Sequence, residues 1–401
     1  MKRKNIAAAV LAVGFIVLLF NGGSRFTMGL MLKPMAEDLD WSRTSLSLAV
    51  TLFMVVSALA LPIVGRLVDR FNALAILFCA LLLSAICVAL MSRVTTPMEV
   101  ALYYGVGFAL ASAGTSLTPI GVLITRWFPE RVGLAYSITI SGMGVGQLVV
   151  ILILTNQLAA IGWRGSFLLL AAMALVLLVP LLLIALLKET HNRHTTETTA
   201  THVGNQAVSN NLFSSKLWLL LLLYAVCGFQ DFFVATHVVA FASDSGVDAL
   251  LAGNLYAFMG LAGLAGVLVT GHLSDRLGPI WPTAICFVIR IVIFLMILFS
   301  NSLFAIAAFT LLYGSTFWIT APLTVVYTRR FFGDKNLGAL TGVVTMVHHG
   351  AGGLGALAGG LAFDLDGDYR MVFMMMLVLS MLALALTYGL SRSSIKELPV
   401  S

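Results

Sequence analysis

Six ionisable side chains lie inside long apolar runs of this sequence: Arg25, Asp231, His237, Arg290, His348 and His349. At the centre of a lipid bilayer such a group costs roughly 2.5–3.5 kcal/mol on insertion scales, so it normally faces a cavity or a partner. Their chemistry is distinct. Arginine keeps its charge and offers a planar fork that binds a carboxylate through two parallel hydrogen bonds. Asp231 is the one carboxylate deep within these runs and can take a proton or hold a cation. Histidine titrates near neutrality and can carry a proton or donate to an anion. Of the adjacent pair His348 and His349, about 100° apart on a helix, one faces any given neighbour. His237 follows Gln230 by two helical turns, on nearly the same face. Arg290 sits mid-run in WPTAICFVIRIVIFLM, suited equally to a structural partner or to substrate. Tyr103, Tyr104, Tyr313 and Trp318 are aromatic candidates for a cavity wall, or for packing.

The elements that must position these groups are membrane helices. Mean hydropathy is +1.02, hydrophobic residues make up 60% of the 401, and charged residues only 10%, which places the chain in a bilayer rather than in water. Runs of about 20 mostly apolar residues suffice to span. Twelve segments are predicted, near 6–31, 44–65, 73–92, 98–123, 132–156, 164–187, 216–241, 250–271, 280–300, 302–326, 337–363 and 370–391. They are too long for the strands of an outer-membrane barrel. The basic start MKRK leads into an apolar run too long for a cleavable signal, so the first helix is expected to remain as an anchor. With the N-terminus inside, sixteen of the 23 Lys and Arg fall on inner loops and tails and five on outer loops. That asymmetry predicts a multi-pass protein of the cytoplasmic (inner) membrane with both termini in the cytoplasm. The net charge of +6 therefore reads as topology, and no nucleic-acid partner is expected. The four cysteines fall within helices and read as packing residues.

The chain repeats itself. GRLVDRFN at 65–72 matches GHLSDRLG at 271–278, and WRGSF at 163–167 matches YRMVF at 369–373, both at an offset of 206; RWFPE at 126–130 resembles RFFGD at 330–334. Between the copies lies a polar segment rich in Thr, Asn and Ser. This predicts an N-terminal six-helix bundle over 1–187, a cytoplasmic linker over 188–215 and a C-terminal six-helix bundle over 216–401. His191, His194 and His202 of the linker lack ordered ligand spacing and read as solvated, so no metal site is expected. Parallel repeats of six helices are the sequence sign of a transporter whose halves rock about a central site. The same offset carries Arg25 onto Asp231, so the two would occupy equivalent depths on the first and seventh helices, pairing with each other or meeting one substrate from opposite sides.

Twelve helices, a six-plus-six repeat, a cytoplasmic linker and G-x-x-x-D-R after the second and eighth helices together resemble the major facilitator superfamily. The resemblance implies an all-α membrane fold of two pseudo-symmetric halves, and gating roles at the cytoplasmic face for Asp69 and Arg70 and, in the second copy, Asp275 and Arg276. Phe71 and Asn72 replace the usual glycine and basic residue, which implies a weaker latch. The segment GLMLKPMAEDLDWSRTSLS is similar to the bacterial monocarboxylate-porter and oxalate–formate-exchanger branch. That branch carries a basic residue in its eighth helix, where this chain has none before His272; the eleventh helix offers His348 and His349 instead. Either the anion site has moved or the substrate differs.

An enzyme is not expected, since HExxH, G-x-S-x-G and the phosphate-binding G-x-x-x-x-G-K-[ST] are all absent. GAGGLG at 350–355 lies inside an apolar helix, where small residues serve close packing rather than a dinucleotide, so no cofactor is expected. The expected function is secondary active transport of a small organic anion, monocarboxylate-like, with proton symport through Asp231 and His349 or His348. The expected partners are that anion, protons and the lipid bilayer, with the protein working as a monomer. Efflux of amphipathic compounds and a non-transporting membrane sensor are the alternatives. The substrate-binding candidates are Arg25, Asp231, His237, Arg290, Tyr313, Trp318, His348 and His349.

Overall fold

The computed structural model describes residues 3–128, 131–189, 214–333 and 337–395. Within them every regular element is helical. We number these helices α1 (Arg3–Ser24), α2 (Thr27–Leu39), α3 (Arg43–Arg70), α4 (Ala73–Met91), α5 (Pro97–Val100), α6 (Ala109–Gly114), α7 (Leu117–Trp127) and α8 (Val132–Glu189), followed by α9 (Ser215–Asp244), α10 (Ala249–Leu277), α11 (Ile280–Phe299), α12 (Leu303–Phe317), α13 (Thr320–Phe332), α14 (Leu337–Asp366) and α15 (Arg370–Ile395). A π-helical stretch, Ala101–Phe108, joins α5 to α6.

Helix starts follow local chemistry. Thr96 and Glu99 form a reciprocal capping box at α5, and Asn72, Ser116, Asp248 and Ser302 accept backbone N–H groups at the first turns of α4, α7, α10 and α12, as short polar side chains do at helix N-termini.

Nine of the described helical stretches are long and apolar enough to cross a membrane, or ten if α12 and the bent segment after it form one span. The difference from twelve predicted segments has physical causes. One stretch, Leu134–Ile184, covers two predicted segments; it is interrupted at Gly162, whose φ of 66° and ψ of −179° suit a residue without a Cβ. Helix α14 falls outside the nine because its two histidines and many glycines dilute its apolar content.

The chain forms two compact units. The first comprises Met1–Trp41 with Leu48–Thr201, the second Ser42–Ser47 with His202–Ser401. The predicted halves placed all of 1–187 together, whereas Ser42–Ser47 clusters with the C-terminal unit. The linker histidines and all of 190–213 lie outside the described residues.

Each unit is built on a seam where helices touch through glycine. In the N-terminal unit a Cβ on Gly146 of α8 would collide with the Leu19 carbonyl of α1; in the C-terminal unit one on Gly228 of α9 would collide with the His348 carbonyl of α14. These seams bring backbone against backbone, the close approach that small residues allow in membrane helices.

Candidate functional site

In the C-terminal unit the structure gathers four residues singled out by sequence, Asp231, Arg290, Tyr313 and His348, from four helices. Asp231 of α9 is 1% exposed and Arg290 of α11 not at all. The Arg290 Nη2 donates to Asp231 Oδ1 at 2.7 Å, and the Tyr313 hydroxyl of α12 donates to the same oxygen at 2.8 Å. The other oxygen, Oδ2, accepts from His348 Nε2 at 3.3 Å. Arg290 spends its remaining donors locally: Nε on Thr316 Oγ1 at 3.1 Å, Nη2 also on the Thr316 carbonyl at 3.2 Å, and Nη1 on Gln230 Oε1 at 3.0 Å. Its guanidinium carbon lies 4.6 Å from the Tyr313 ring centroid, a cation–π distance.

Two charges taken out of water are costly unless paired and fully hydrogen-bonded. Here both conditions hold. Removing one member of such a pair typically costs about 3–5 kcal/mol, because the other is left buried and uncompensated. His348 is the accessible member: its side chain is 13% exposed, against 2% for Asp231. The site is a carboxylate fixed from one side by a guanidinium and a phenol, with its other oxygen turned to the His348 imidazole.

The repeat sets Arg25 at a depth equivalent to that of Asp231; within the C-terminal unit the guanidinium that holds the carboxylate belongs to Arg290. The offset relates positions of equal depth, whereas a contact depends on which way each helix face is turned. Of the two uses open to Arg290, its full burial and its engaged donors match the structural one.

The two adjacent histidines separate as helical geometry requires. His348 meets Asp231, whereas His349 Nδ1 donates to the Thr345 carbonyl at 2.9 Å and its ring lies 6.0 Å from Phe232. Trp318 packs 5.3 Å from Phe317, ring to ring, and fills the space beside Gly263 of α10.

His237 belongs to a second cluster at the far end of α9. Its Nε2 donates to the Ala356 carbonyl at 2.8 Å, leaving Nδ1 to accept from the Tyr369 hydroxyl at 3.2 Å. Arg43 bonds that same hydroxyl and Asp244, each at 2.5 Å, with its guanidinium carbon 3.4 Å above the Phe363 ring. Burial pushes the Tyr369 phenol up, so it remains a protonated hydroxyl. Asp364 accepts the backbone N–H of Arg43 at 3.0 Å and of Thr44 at 2.8 Å, and the Thr44 hydroxyl, supplying the cap that the first turn of α3 needs.

In the N-terminal unit Arg25 lies at the interruption between α1 and α2. Its Nη2 approaches Met54 Sδ at 3.9 Å, and its carbonyl accepts the Tyr104 hydroxyl at 3.2 Å. Tyr104 comes from the π-helical stretch and stacks on Phe53 at 5.1 Å and Phe108 at 5.4 Å. Such stretches frequently mark functional positions. Nearby, Asn21 donates to Thr115 Oγ1 at 2.8 Å and the Ser112 carbonyl at 2.9 Å, fixing the end of α1.

Of the gating candidates, Arg70, Asp275 and Arg276 are exposed, while the side chain of Asp69 lies outside the described residues. Sequence reasoning missed Gln230, Thr316 and the Arg43 cluster. Gln230 enters the sequence reading only as the residue two turns before His237, and Arg43 only as one more outer-loop charge.

Comparison with known proteins agrees with this architecture. The family model for the Major Facilitator Superfamily matches residues 14–318 and 220–399. An uncharacterized MFS-type transporter of Bacillus subtilis, YcxA, is 26% identical over 377 residues, covering 90% of each chain. Monocarboxylate transporter 13 of Rattus norvegicus is 25% identical over 287 residues, 68% of this chain and 63% of the relative. Among solved structures, a point mutant of the nucleoside transporter NupG superposes with a TM-score of 0.80 at 15% identity, covering 96% of this chain and 99% of that one; this is a likeness of fold. The chain belongs to the Major Facilitator Superfamily and is a membrane transporter rather than an enzyme.

Proposed function

We propose that the protein carries a small monocarboxylate-like anion across the cytoplasmic membrane together with a proton, by alternating access. The observation that carries the reading is the contact between Asp231 and His348. A carboxylate pinned by Arg290 and Tyr313 on one oxygen, with a partly accessible imidazole on the other, is a group that can hold one proton and release it when its surroundings change. Arg25 supplies the second half of the reading: a guanidinium inside the membrane region, beside the Met54 thioether, is chemically matched to a carboxylate bearing a short apolar body. The name of the Rattus norvegicus relative points to the same substrate class. The arginines exceed Asp231 by one positive charge in the apolar interior, which an anionic substrate complements. Both termini then face the cytoplasm, with Asp69, Arg70, Asp275 and Arg276 acting at the cytoplasmic gate.

The test is uptake of labelled short monocarboxylates by purified protein in liposomes, with and without an inward proton gradient. Accumulation above equilibrium only with the gradient is the expected result. Uptake indifferent to the gradient would remove proton coupling, and absence of uptake of any monocarboxylate would remove the substrate class.

A further inference from the structure

We infer that Gln230 is a positioning residue of the Asp231–His348 pair, holding Arg290 on one carboxylate oxygen so that the other is kept for histidine. The inference rests on the function proposed for that pair. It starts from the way this one amide uses all of its capacity. Gln230 of α9 is fully buried. Its Oε1 accepts from Arg290 Nη1 at 3.0 Å. Its Nε2 donates twice to α15, to the Met376 carbonyl at 2.9 Å and to Ser380 Oγ at 2.8 Å. Ser380 is itself tied to the Met376 carbonyl at 2.9 Å. The guanidinium is therefore anchored through an amide to the backbone of a third helix.

That anchor sets which oxygen of Asp231 meets which neighbour. Arg290 has a fork geometry suited to covering both oxygens of a carboxylate. In this site Nη1 is drawn away to Gln230, and Nη2 alone meets Asp231, at Oδ1. Oδ2 is consequently left to His348. Without Gln230 the guanidinium keeps its Thr316 bonds through Nε and Nη2, but Nη1 loses its acceptor and can turn toward Oδ2 in competition with the imidazole. The other titratable groups around the pair do not perform this task. Tyr313 shares Oδ1, Tyr224 lies edge-on to the His348 ring at 6.4 Å, His349 bonds the Thr345 carbonyl, and the Cys227 and Cys286 thiols are buried on α9 and α11.

Gln230→Met tests this, since methionine keeps the length and removes both the acceptor and the donor. The full-length protein is reconstituted with ¹⁵N-labelled histidine, and the His348 ring signals are assigned by difference from His348→Gln. The expected result is a displaced His348 ring resonance at fixed pH. It comes with a fall of about tenfold in the maximal gradient-driven rate, from a misplacement of ångström scale, and a flattened pH profile. The apparent Michaelis constant should stay near its original value, because Gln230 does not touch substrate. Gln230→Glu keeps an acceptor for Arg290 and should restore part of the resonance and of the rate. Ser380→Ala removes one of the two anchors and should give an intermediate displacement, which decides the matter should Gln230→Met fail to fold. An unmoved His348 resonance in folded Gln230→Met or Ser380→Ala overturns the inference. Should the unmodified protein prove indifferent to a proton gradient, the coupling reading falls by itself, and the resonance still decides the role of Gln230.

Discussion

The two units answer the same problem, a charge inside the membrane, in different ways. In the C-terminal unit Asp231 and Arg290 neutralise each other, and an amide, a phenol and a threonine satisfy what remains. In the N-terminal unit the residue at the offset position of Asp231 is Arg25, beside a thioether and the hydroxyl of a stacked tyrosine. The residue 206 positions before Arg290 is Ser84, which is buried with its hydroxyl lacking a hydrogen bond. Asp231 has its guanidinium within its own unit, whereas Arg25 is set with its guanidinium by Met54 and its carbonyl on the Tyr104 hydroxyl.

Truncating each arginine should expose that difference. Arg290→Ala leaves Asp231 buried without its guanidinium and should cost about 3–5 kcal/mol of stability, read as lost expression and a lower melting temperature in detergent. Adding Asp231→Leu should recover folding without recovering transport, since a buried pair can be exchanged for apolar residues. Arg25→Ala should lower stability much less and abolish anion uptake. Equal destabilisation by the two truncations would break the comparison.

Finer changes sharpen it. Asp231→Asn keeps the shape of the site but removes its charge, and should retain exchange of substrate between the two sides while losing accumulation against a gradient. Arg25→Lys keeps the charge without the planar fork and should raise the apparent Michaelis constant about tenfold, the equivalent of one good hydrogen bond to a charged group at about 1.4 kcal/mol. Ser84→Ala should leave stability unchanged or raise it, since a buried hydroxyl without a hydrogen bond has no bond to lose; a clear loss there would mean that Ser84 takes part in a polar contact of the N-terminal unit.

Much of this is legible in the amino-acid order alone, and for identifiable reasons. The expense of charge in lipid singles out Arg25, Asp231, Arg290 and His348 directly, because each interrupts an apolar run. The repeat marks the two units because its loop motifs recur in register. Pairing is not legible in the same way. An offset of 206 reports descent from a common segment, while the meeting of Asp231 with Arg290 depends on how α9 and α11 are rotated about their axes, which no spacing within either helix encodes. Gln230 escapes notice because a neutral amide in a helix carries no cost large enough to stand out in sequence, although buried it must find partners for both its ends. Ser42–Ser47 escapes for a related reason: a capping carboxylate is usually sought within a few residues of the helix it caps, and Asp364 is more than 300 residues away in the chain.

The glycine contact between α9 and α14 has a mechanical side. Side chains that interlock hold two helices in register, whereas a smooth backbone contact resists separation far more than it resists travel along its length. His348 rides on α14 and Asp231 on α9, so travel along that contact changes their 3.3 Å separation, and a rise of a few tenths of an ångström would take it beyond hydrogen-bonding reach. The corresponding contact of the N-terminal unit has Gly142 in place of His348, and the same travel there would disturb no proton. Of two nearly identical slides, one alone would be wired to chemistry.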